Sequence, residues 1–275
     1  MNIIVPIKQV PESSKVKMDP ETGTMIRTGV ETVVNPLDLY ALETALRLRE
    51  SYGGEIAVLT MGPPQAERVL REALAMGCDH AFLISDRKFG GSDTWATSYT
   101  LAEGIRKAGV FDLIITGERA TDGDTAQVGP GIAAWLGIPL ATYVAKAEET
   151  DKNRIRVERL TEEGYQVLSL SLPCLITVVK EIAVPRLPTL KGKIRSRDTA
   201  IPLLDTASME LKEDYLGLRG SPTRVVKIDS PRLARSGRVI TIQDEDSLMA
   251  AADAIMELLE SRGFLSEHDE AEGQG

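Results

Sequence analysis

Short apolar runs, each of the length of a buried strand, recur along the first part of the chain. They lie at residues 3–10, 55–60, 80–84, 111–116 and 139–145. Segments with a helical spacing of apolar residues separate most of these runs, at residues 35–51, 65–76, 93–107 and 126–136. Strands that alternate with helices are typical of an α/β fold. The pattern therefore predicts a Rossmann-like, mostly parallel sheet with helices on both faces.

The pattern changes after residue 150. Residues 154–160 and 165–172 alternate between apolar and polar positions, with turn-like residues at 161–164 between them. This predicts a hairpin that extends the sheet, followed by a further apolar strand at residues 173–179. Residues 16–29 show alternating flanks around Asp-Pro-Glu-Thr-Gly, which predicts a second hairpin earlier in the chain.

Proline and basic residues dominate the chain from residue 182 to about residue 205. We predict an extended surface excursion here, and its basic run is either a solvated face or a docking site for a partner. A short helix at residues 208–217, a strand at 239–242 and an amphipathic helix at 244–262 are predicted to follow. The acidic end of the chain is predicted to be disordered.

Composition restricts the class of protein. Hydrophobic residues make up 43% of the 275 positions and charged residues 27%, as in ordinary soluble globular proteins. The net charge of −9 argues against nucleic-acid binding, which favours a basic surface. No apolar segment approaches membrane-span length, and the first residues lack the features of a secretory signal. We expect a cytoplasmic protein with no direct membrane insertion.

Side chains that could carry chemistry by themselves are scarce. Cys78 and Cys174 lie in apolar contexts, where cysteine is usually a small buried residue. His80 and His268 are the only histidines, which is too few for a histidine-based triad or zinc site. We therefore expect no metal site and no catalytic side chain, and chemistry would have to come from a bound cofactor.

The loop after the fourth predicted strand is the strongest candidate for a binding site. A strand, a glycine-containing loop and a helix N-terminus together present unpaired N–H groups to an anion. Polar side chains in the loop can cap the helix or contact a sugar or base. An ordinary capped turn is the alternative interpretation. The candidate residues are Gly117, Glu118, Arg119, Ala120, Thr121, Asp122, Gly123, Asp124, Thr125, Ala126, Gln127 and Val128.

Other candidates lie at strand ends or open a helix. Ligands of open parallel sheets bind beyond the carboxyl ends of the strands, near the point where the strand order reverses. Together with the loop, these segments could form a pocket for an adenine nucleotide, although each alone could be a turn or a cap. The residues are Pro6, Asn35, Pro36, Leu37, Asp38 and Met61.

Thr94 and Thr97 lie three residues apart on one predicted helix, so both hydroxyls point the same way. They could hydrogen-bond a flavin ring or its phosphates, or simply cap the helix and bond to its backbone. Trp95 and Trp135 are predicted to be core residues.

The stretch VERLTEEGYQVLSLSLPCLIT, at residues 157–177, resembles the signature of the electron transfer flavoprotein β subunit. The segments VPIKQVP, NPLDLYALE, ALAMGCD and VPRLPTLKGK also resemble this family, and the likeness extends to about residue 228. The matching signature residues are Val157, Arg159, Glu162, Glu163, Gly164, Gln166, Leu168, Pro173 and the apolar pair before Thr177.

The resemblance implies an adenine-nucleotide alpha-hydrolase-like fold and a nucleotide site at Pro6, residues 35–38, Met61 and residues 117–128. Leu190 matches the anchor leucine of the loop that docks on partner dehydrogenases. The implied organisation is a nucleotide-binding core at 1–182 with its hairpin at 154–172, and an extended docking loop at 183–207. An arm at 208–265 then packs on the α subunit or on the core, and a disordered tail occupies 266–275.

The family has two branches, which differ in the nucleotide of the β subunit. Where the AMP branch typically reads DDDxNQTG, this chain reads DGDTAQVG at residues 122–129. That loop resembles the branch with a second FAD, which bifurcates electrons, and so does the cluster of Thr94 and Thr97.

The second branch implies NADH as donor and ferredoxin or flavodoxin as the low-potential acceptor. The FAD of the α subunit then leads to a partner dehydrogenase or quinone oxidoreductase. A non-bifurcating subunit with structural AMP, serving acyl-CoA-type dehydrogenases, and a free-standing ATP-binding stress-type module remain the alternatives.

Overall fold

A computed structural model describes residues 1–12, 17–18, 25–26, 31–151, 153–226 and 239–264. The chain divides into two compact units, Met1–Ile228 and Asp229–Gly275. The first unit contains a nine-stranded sheet, and the second contains one helix among its described residues. No helix in the described part of the chain is long and apolar enough to cross a membrane.

The strands of the large sheet are β1 (Ile3–Pro6), β6 (Ile56–Met61), β7 (His80–Ile84), β8 (Leu113–Gly117), β9 (Leu140–Asp151), β10 (Arg154–Thr161), β11 (Gly164–Ser171), β12 (Cys174–Val178) and β13 (Leu203–Leu204). They lie in the order β11-β10-β9-β12-β8-β1-β6-β7-β13, and the sheet is parallel except at the hairpin strands, where β10 is antiparallel to both β9 and β11.

Two small antiparallel pairs lie outside the large sheet. They are β2 (Gln9–Pro11) with β5 (Thr32–Val34), and β3 (Lys17–Met18) with β4 (Met25–Ile26).

The helices of the described residues are α1 (Pro36–Tyr52), α2 (Glu67–Met76), α3 (Thr94–Ala108), α4 (Val128–Leu136), α5 (Leu190–Asp198), α6 (Gly217–Gly220) and α7 (Glu245–Ser261).

Helices cover both faces of the sheet. Successive strand residues point to opposite faces, so Ile3 and Val5 join one apolar cluster and Ile4 joins the other. The first cluster includes residues of α1 and α2, and the second includes residues of α3 and α4.

The strand order reverses between β1 and β8. The chain adds β6 and β7 on one side of β1 and then places β8 on the other side. In parallel sheets, this reversal opens a crevice at the carboxyl ends of the two strands. The crevice of this sheet therefore lies where Pro6 and Gly117 end their strands.

Most predicted elements are confirmed. The strand at 80–84, the hairpin at 154–172 and the helix at 244–262 form within a residue or two of the predicted positions. Of the earlier hairpin, the paired strands β3 and β4 form, and the rest of 16–29 lies outside the described residues. The predicted disorder at 266–275 also falls outside them.

The predicted strand at residues 3–10 is interrupted. β1 ends at Pro6, and β2 begins at Gln9 and pairs with β5 instead. The cause lies at Lys8, whose backbone N–H donates to the carboxylate of Asp38 at 2.7 Å rather than to a neighbouring strand.

Three predictions in the last third of the chain are wrong. Residues 190–198 form a helix inside the predicted extended excursion, because contacts with α2 stabilise it. The predicted helix at 208–217 is replaced by a turn in which the Asp205 carboxylate accepts from Ser208 N, by the 3₁₀ turn Glu213–Tyr215 and by α6. The predicted strand at 239–242 is irregular, and Val239 is exposed.

Candidate functional site

Asn35 holds the loop between β8 and α4 in place over the crevice. Its side-chain Nδ2 donates to the backbone oxygen of Arg119 at 2.9 Å, and its Oδ1 accepts from Thr121 N at 3.1 Å. Asn35 is buried, and these two bonds use both ends of its amide. It precedes α1 as predicted, but its side chain does not cap that helix.

Asp38, in the first turn of α1, contacts the chain at the ends of both β1 and β8. Its Oδ2 accepts from Lys8 N at 2.7 Å, and a Cβ at Gly117 would lie 2.6 Å from its Oδ1. Burial raises the pKa of Asp38 to about 7, although hydrogen bonds from Lys8, Asn35 and Gly117 oppose this. Gly117 is therefore required by a close approach, since any side chain there would collide with Asp38 and the backbone of Leu37.

Salt bridges hold the exposed side of the loop. Lys8 Nζ lies 2.7 Å from Asp122 Oδ1, which ties the end of β1 to the loop. Arg119 Nε lies 3.0 Å from Asp124 Oδ1 and 3.4 Å from Glu118 Oε1. Both cations are about half exposed, so these pairs contribute little to stability, and the cations offset the three carboxylates of the loop.

The loop backbone is strained at two positions. Asp124 has φ of 52° and Ala126 has φ of 54°, in the left-handed region that non-glycine residues avoid at a cost of about 1–2 kcal/mol each. Such strain persists where the surrounding structure imposes it, often at functional sites. Gly123 does not have this conformation, and a Cβ there would meet nothing within 4 Å. Its small size leaves open space beside the loop.

The N-terminus of α4 has no side-chain cap. Gln127 precedes the helix, but its Oε1 accepts instead from the Thr94 hydroxyl at 2.9 Å. Gly129 brings the first turn close to the sheet, since a Cβ there would lie 2.9 Å from both Thr116 Oγ1 and Thr177 Cγ2. Pro130 has no N–H, so the donors at this helix start are the N–H groups of Val128 and Gly129, which no side chain of the described residues bonds and which can receive an anion.

A cleft of about 580 Å³ opens between the N-terminal part of α3 and α4, and it reaches the loop at Gln127. One wall is aromatic: the ring of Trp95 lies 5.0 Å from that of Trp135 and 4.9 Å from that of Tyr215. Trp135 packs against the core as predicted, but the prediction for Trp95 is wrong because its ring is exposed in this cleft. The lining residues are Asp93, Thr94, Trp95, Ser98, Gln127, Gly131, Ala134, Trp135, Pro222 and Thr223.

Asp93 anchors one edge of the cleft. Its carboxylate caps α3 by accepting from Trp95 N and Ala96 N, both at 3.0 Å. The same carboxylate accepts from Thr223 N at 2.9 Å and from the Thr223 hydroxyl at 2.7 Å. Burial raises the pKa of Asp93, but these hydrogen bonds outweigh it and hold the pKa below its usual value.

The predicted site residues are only partly brought together. Residues 35–38, Pro6 and the loop meet at the crevice. Met61 ends β6, next to β1 in the sheet. Thr94 lines the cleft and Thr97 does not. Leu190 is the first residue of α5 and is 77% exposed.

Sequence reasoning missed several contacts: the ion pair of Lys8 with Asp122, the bond of Thr94 to Gln127, and the aromatic wall. Lys8 and Asp122 are 114 positions apart. No local pattern could therefore have indicated their pairing.

No cluster of metal-binding side chains occurs among the described residues. Both cysteines are buried and unpaired, as the sequence predicted, and burial raises the pKa of each thiol to about 12. Neither thiol is therefore a reactive thiolate near neutral pH.

Comparison with known proteins identifies the family. The family model described as "Electron transfer flavoprotein domain" matches residues 22–207. The "Electron transfer flavoprotein subunit beta" of Thermoanaerobacterium thermosaccharolyticum is 45% identical over 263 residues, which cover 95% of this chain and 99% of the relative. The chain belongs to the electron transfer flavoprotein family.

Within the electron transfer flavoproteins, the chain is a β subunit. The β subunit of Megasphaera elsdenii is 46% identical, with 94% of this chain and 98% of that protein covered. A subunit of Acetobacterium woodii named "Caffeyl-CoA reductase-Etf complex subunit CarD" is 49% identical, with 88% and 92% covered. The resemblance found at residues 157–177 is thereby confirmed, and these residues form the hairpin and β12.

Proposed function

We propose that this β subunit holds FAD at the crevice between β1 and β8 and passes electrons in a heterodimer with an electron transfer flavoprotein α subunit. The placement of the loop between β8 and α4 supports the proposal. Asn35 and Lys8 hold this loop over the crevice, and the loop leads into the uncapped N-terminus of α4 and reaches an open cleft at Gln127.

The crevice suits the adenylate end of the nucleotide. Phosphate oxygens would accept from the first N–H groups of α4, where the helix dipole favours negative charge. The hydroxyl of Thr116, buried beside Gly129 at this helix start, has no hydrogen-bond partner among the residues that the structure describes. Lys8 and Arg119 offset the negative charge of the loop carboxylates Glu118, Asp122 and Asp124.

The cleft favours FAD over AMP. Its volume of about 580 Å³ is that of a pocket for a sizeable ligand, and AMP in the loop would leave it unused. Gln127, near the end of the loop, bonds to Thr94, and both residues line the cleft together with Trp95 and Trp135. Both can therefore contact a ring system in the cleft. Small residues at Gly123 and Ala126 leave room beside the loop.

The chemistry that FAD supplies when bound is the two-electron oxidation of NADH and the transfer of single electrons to two acceptors. The residues of this chain bind and orient the cofactor, and the aromatic wall keeps water from one side of the cleft. We propose bifurcation, with ferredoxin or flavodoxin as one acceptor. A partner dehydrogenase or quinone oxidoreductase that docks at Leu190 would take the other electron by way of FAD held by the α subunit.

Two findings support the bifurcating branch. The loop reads DGDTAQVG, without the pattern of the AMP branch. The relative from Acetobacterium woodii, 49% identical, is named as a subunit of a caffeyl-CoA reductase–Etf complex.

Analysis of the nucleotides released from the purified heterodimer tests the proposal. We expect about two FAD per heterodimer and no AMP, because the cleft accommodates a larger group than adenylate. Thr94→Val should lower the FAD content more than Thr97→Val, its matched control, since only Thr94 lines the cleft. One FAD and one AMP per heterodimer would instead identify a non-bifurcating subunit with a structural nucleotide.

A further inference from the structure

The sequence of α5 favours helix formation only weakly. It has nine residues, LKGKIRSRD, which include a glycine and four basic residues. An isolated helix of this length is unstable in water, and the interior glycine weakens it further. Its formation therefore depends on contacts with the rest of the fold.

Two arginines cap α5 and α2 reciprocally. Arg71, on α2, donates to the backbone oxygens of Ser196 and of Thr199, the latter at 2.7 Å, at the C-terminus of α5. Arg195, on α5, donates to the backbone oxygens of Leu74 at 2.9 Å and Cys78 at 2.7 Å, at the C-terminus of α2. Each guanidinium thus donates to carbonyl groups at the C-terminal end of the other helix, where the helix dipole favours a cation.

The two helices also touch through backbone. A Cβ at Gly192 would lie 2.0 Å from the backbone oxygen of Ala75, so α5 rests directly on α2 at this point. Glu67, one turn before Arg71, accepts from both Nε and Nη2 of that arginine at 3.0 and 2.8 Å and fixes its orientation. The position of α5 on α2 is therefore determined in its first turn and at its C-terminus.

The segment before α5 is anchored as well. Arg186 donates to the buried carboxylate of Glu43 at 2.8 Å and to Glu50 at 2.5 Å, both on α1. Between these anchors, Leu187 is 85% exposed and Leu190 77% exposed, and Ile194 continues the same apolar surface. Exposed apolar side chains are thus presented by a segment whose backbone is fixed on both sides.

We propose that Arg71 and Arg195 are positioning residues that preform the docking surface around Leu190. The inference rests on the docking role proposed above and adds to it the means by which the surface is held. We call these two arginines and their bonds to backbone oxygens the clamp. A surface that is already ordered does not lose conformational entropy when a partner binds, so the clamp strengthens docking without contacting the partner. Its loss should leave the nucleotide site unaffected.

Arg71→Met in the purified heterodimer tests the clamp. Hydrogen–deuterium exchange of the α5 amides should become about tenfold faster, because charge-assisted bonds to its last turn are lost. The electron acceptor is a partner dehydrogenase whose reduction by the wild-type heterodimer saturates with the dehydrogenase concentration. Its apparent KM should rise about tenfold with kcat and bound nucleotide unchanged.

Three further variants complete the test. Arg68→Met removes the same charge from an exposed position of α2 and should match wild type in both measurements. Arg71→Lys should fall between wild type and Arg71→Met, since an ammonium group cannot reach the same set of carbonyls as a guanidinium. Leu190→Ala should raise KM while leaving exchange in α5 unchanged.

The outcomes separate the clamp from the docking role. Unchanged exchange in Arg71→Met would overturn the clamp. Faster exchange with an unchanged KM, when Leu190→Ala does raise KM, would overturn positioning while leaving the docking role intact. An unchanged KM in Leu190→Ala would remove the docking role itself.

Discussion

At the residue scale, Asn35 and Asp38 connect parts of the chain that are far apart in sequence. Asn35 bonds to residues 84 and 86 positions away, and Asp38 accepts from Lys8, 30 positions before it. Both sit in the first helix-opening segment, whose residue types indicate only a cap. Their side chains instead tie the start of α1 to the ends of β1 and β8, which fixes the crevice.

Asp38→Asn is expected to change the pH dependence of the unfolding free energy. Burial raises the pKa of Asp38 to about 7 in the folded protein, against 3.8 for the free side chain. Between these values the folded state holds a proton that the unfolded state has released, so this group lowers stability as pH rises from about 4 to 7. The asparagine variant should gain up to about 4 kcal/mol relative to wild type over that range.

Urea unfolding at several pH values between about 4 and 8 measures this difference. Asp253→Asn is the control, because it removes the same charge from an exposed position on α7. A difference between Asp38→Asn and wild type that does not change with pH would show that the Asp38 carboxyl titrates normally in the folded protein.

At the element scale, the packing of α4 on α3 positions the helix N-terminus that the proposed nucleotide site uses. The two helices approach at Gly131, where a Cβ would lie 2.6 Å from Ser98 Oγ and 2.7 Å from Ser98 Cβ. Since even the Cβ of Ser98 is too close, rotation of its hydroxyl cannot relieve the collision. The helices must separate to admit a side chain at this position.

Gly131→Ala should therefore destabilise the protein by about 2 kcal/mol, as overpacking of a close helix contact does. Chemical denaturation measures the change, and nucleotide retention should fall with it because α4 shifts. Gly123→Ala is the stability control, since a Cβ there meets nothing within 4 Å. Equal stability of the two variants would contradict the close contact.

Helix α5 shows the limit of reading elements from local pattern. Its proline-rich approach and four basic residues indicate an extended surface segment, and no apolar periodicity suggests a helix. The helix forms because Arg71 and Arg195 supply capping groups across 117 to 128 positions of sequence. The hairpin of β10 and β11 was predicted correctly because its alternation and turn are local.

At the scale of the whole molecule, the first unit contains everything needed for its own core. Both apolar clusters consist of residues before position 220. In the second unit, α7 carries apolar side chains that are about half exposed, Leu248, Met249, Ile255, Met256 and Leu258. Exposed apolar surface of this kind marks an interaction site. The position of this arm on the α subunit or on the core stays a prediction.

A chain that ends at Val226 should therefore fold and unfold cooperatively, because its sheet and both clusters are complete. We expect it to lose association with the α subunit, since the apolar face of α7 is removed. Urea unfolding of the isolated chain and size-exclusion chromatography with the α subunit measure the two properties. Wild-type heterodimer formation by the shortened chain would contradict a role for the arm at that interface.

The sequence by itself determined the alternation of strands and helices up to about residue 145, the hairpin at residues 154–172, the glycine-containing loop at a strand end and the family. These features depend on local periodicity and on short motifs, which neighbouring residues carry. Only the tertiary structure decided the contacts of Asn35, the pKa of Asp38, the aromatic cleft and the helix at residues 190–198. Each of these depends on burial or on bonds between residues far apart in the chain, and folding alone brings such residues together.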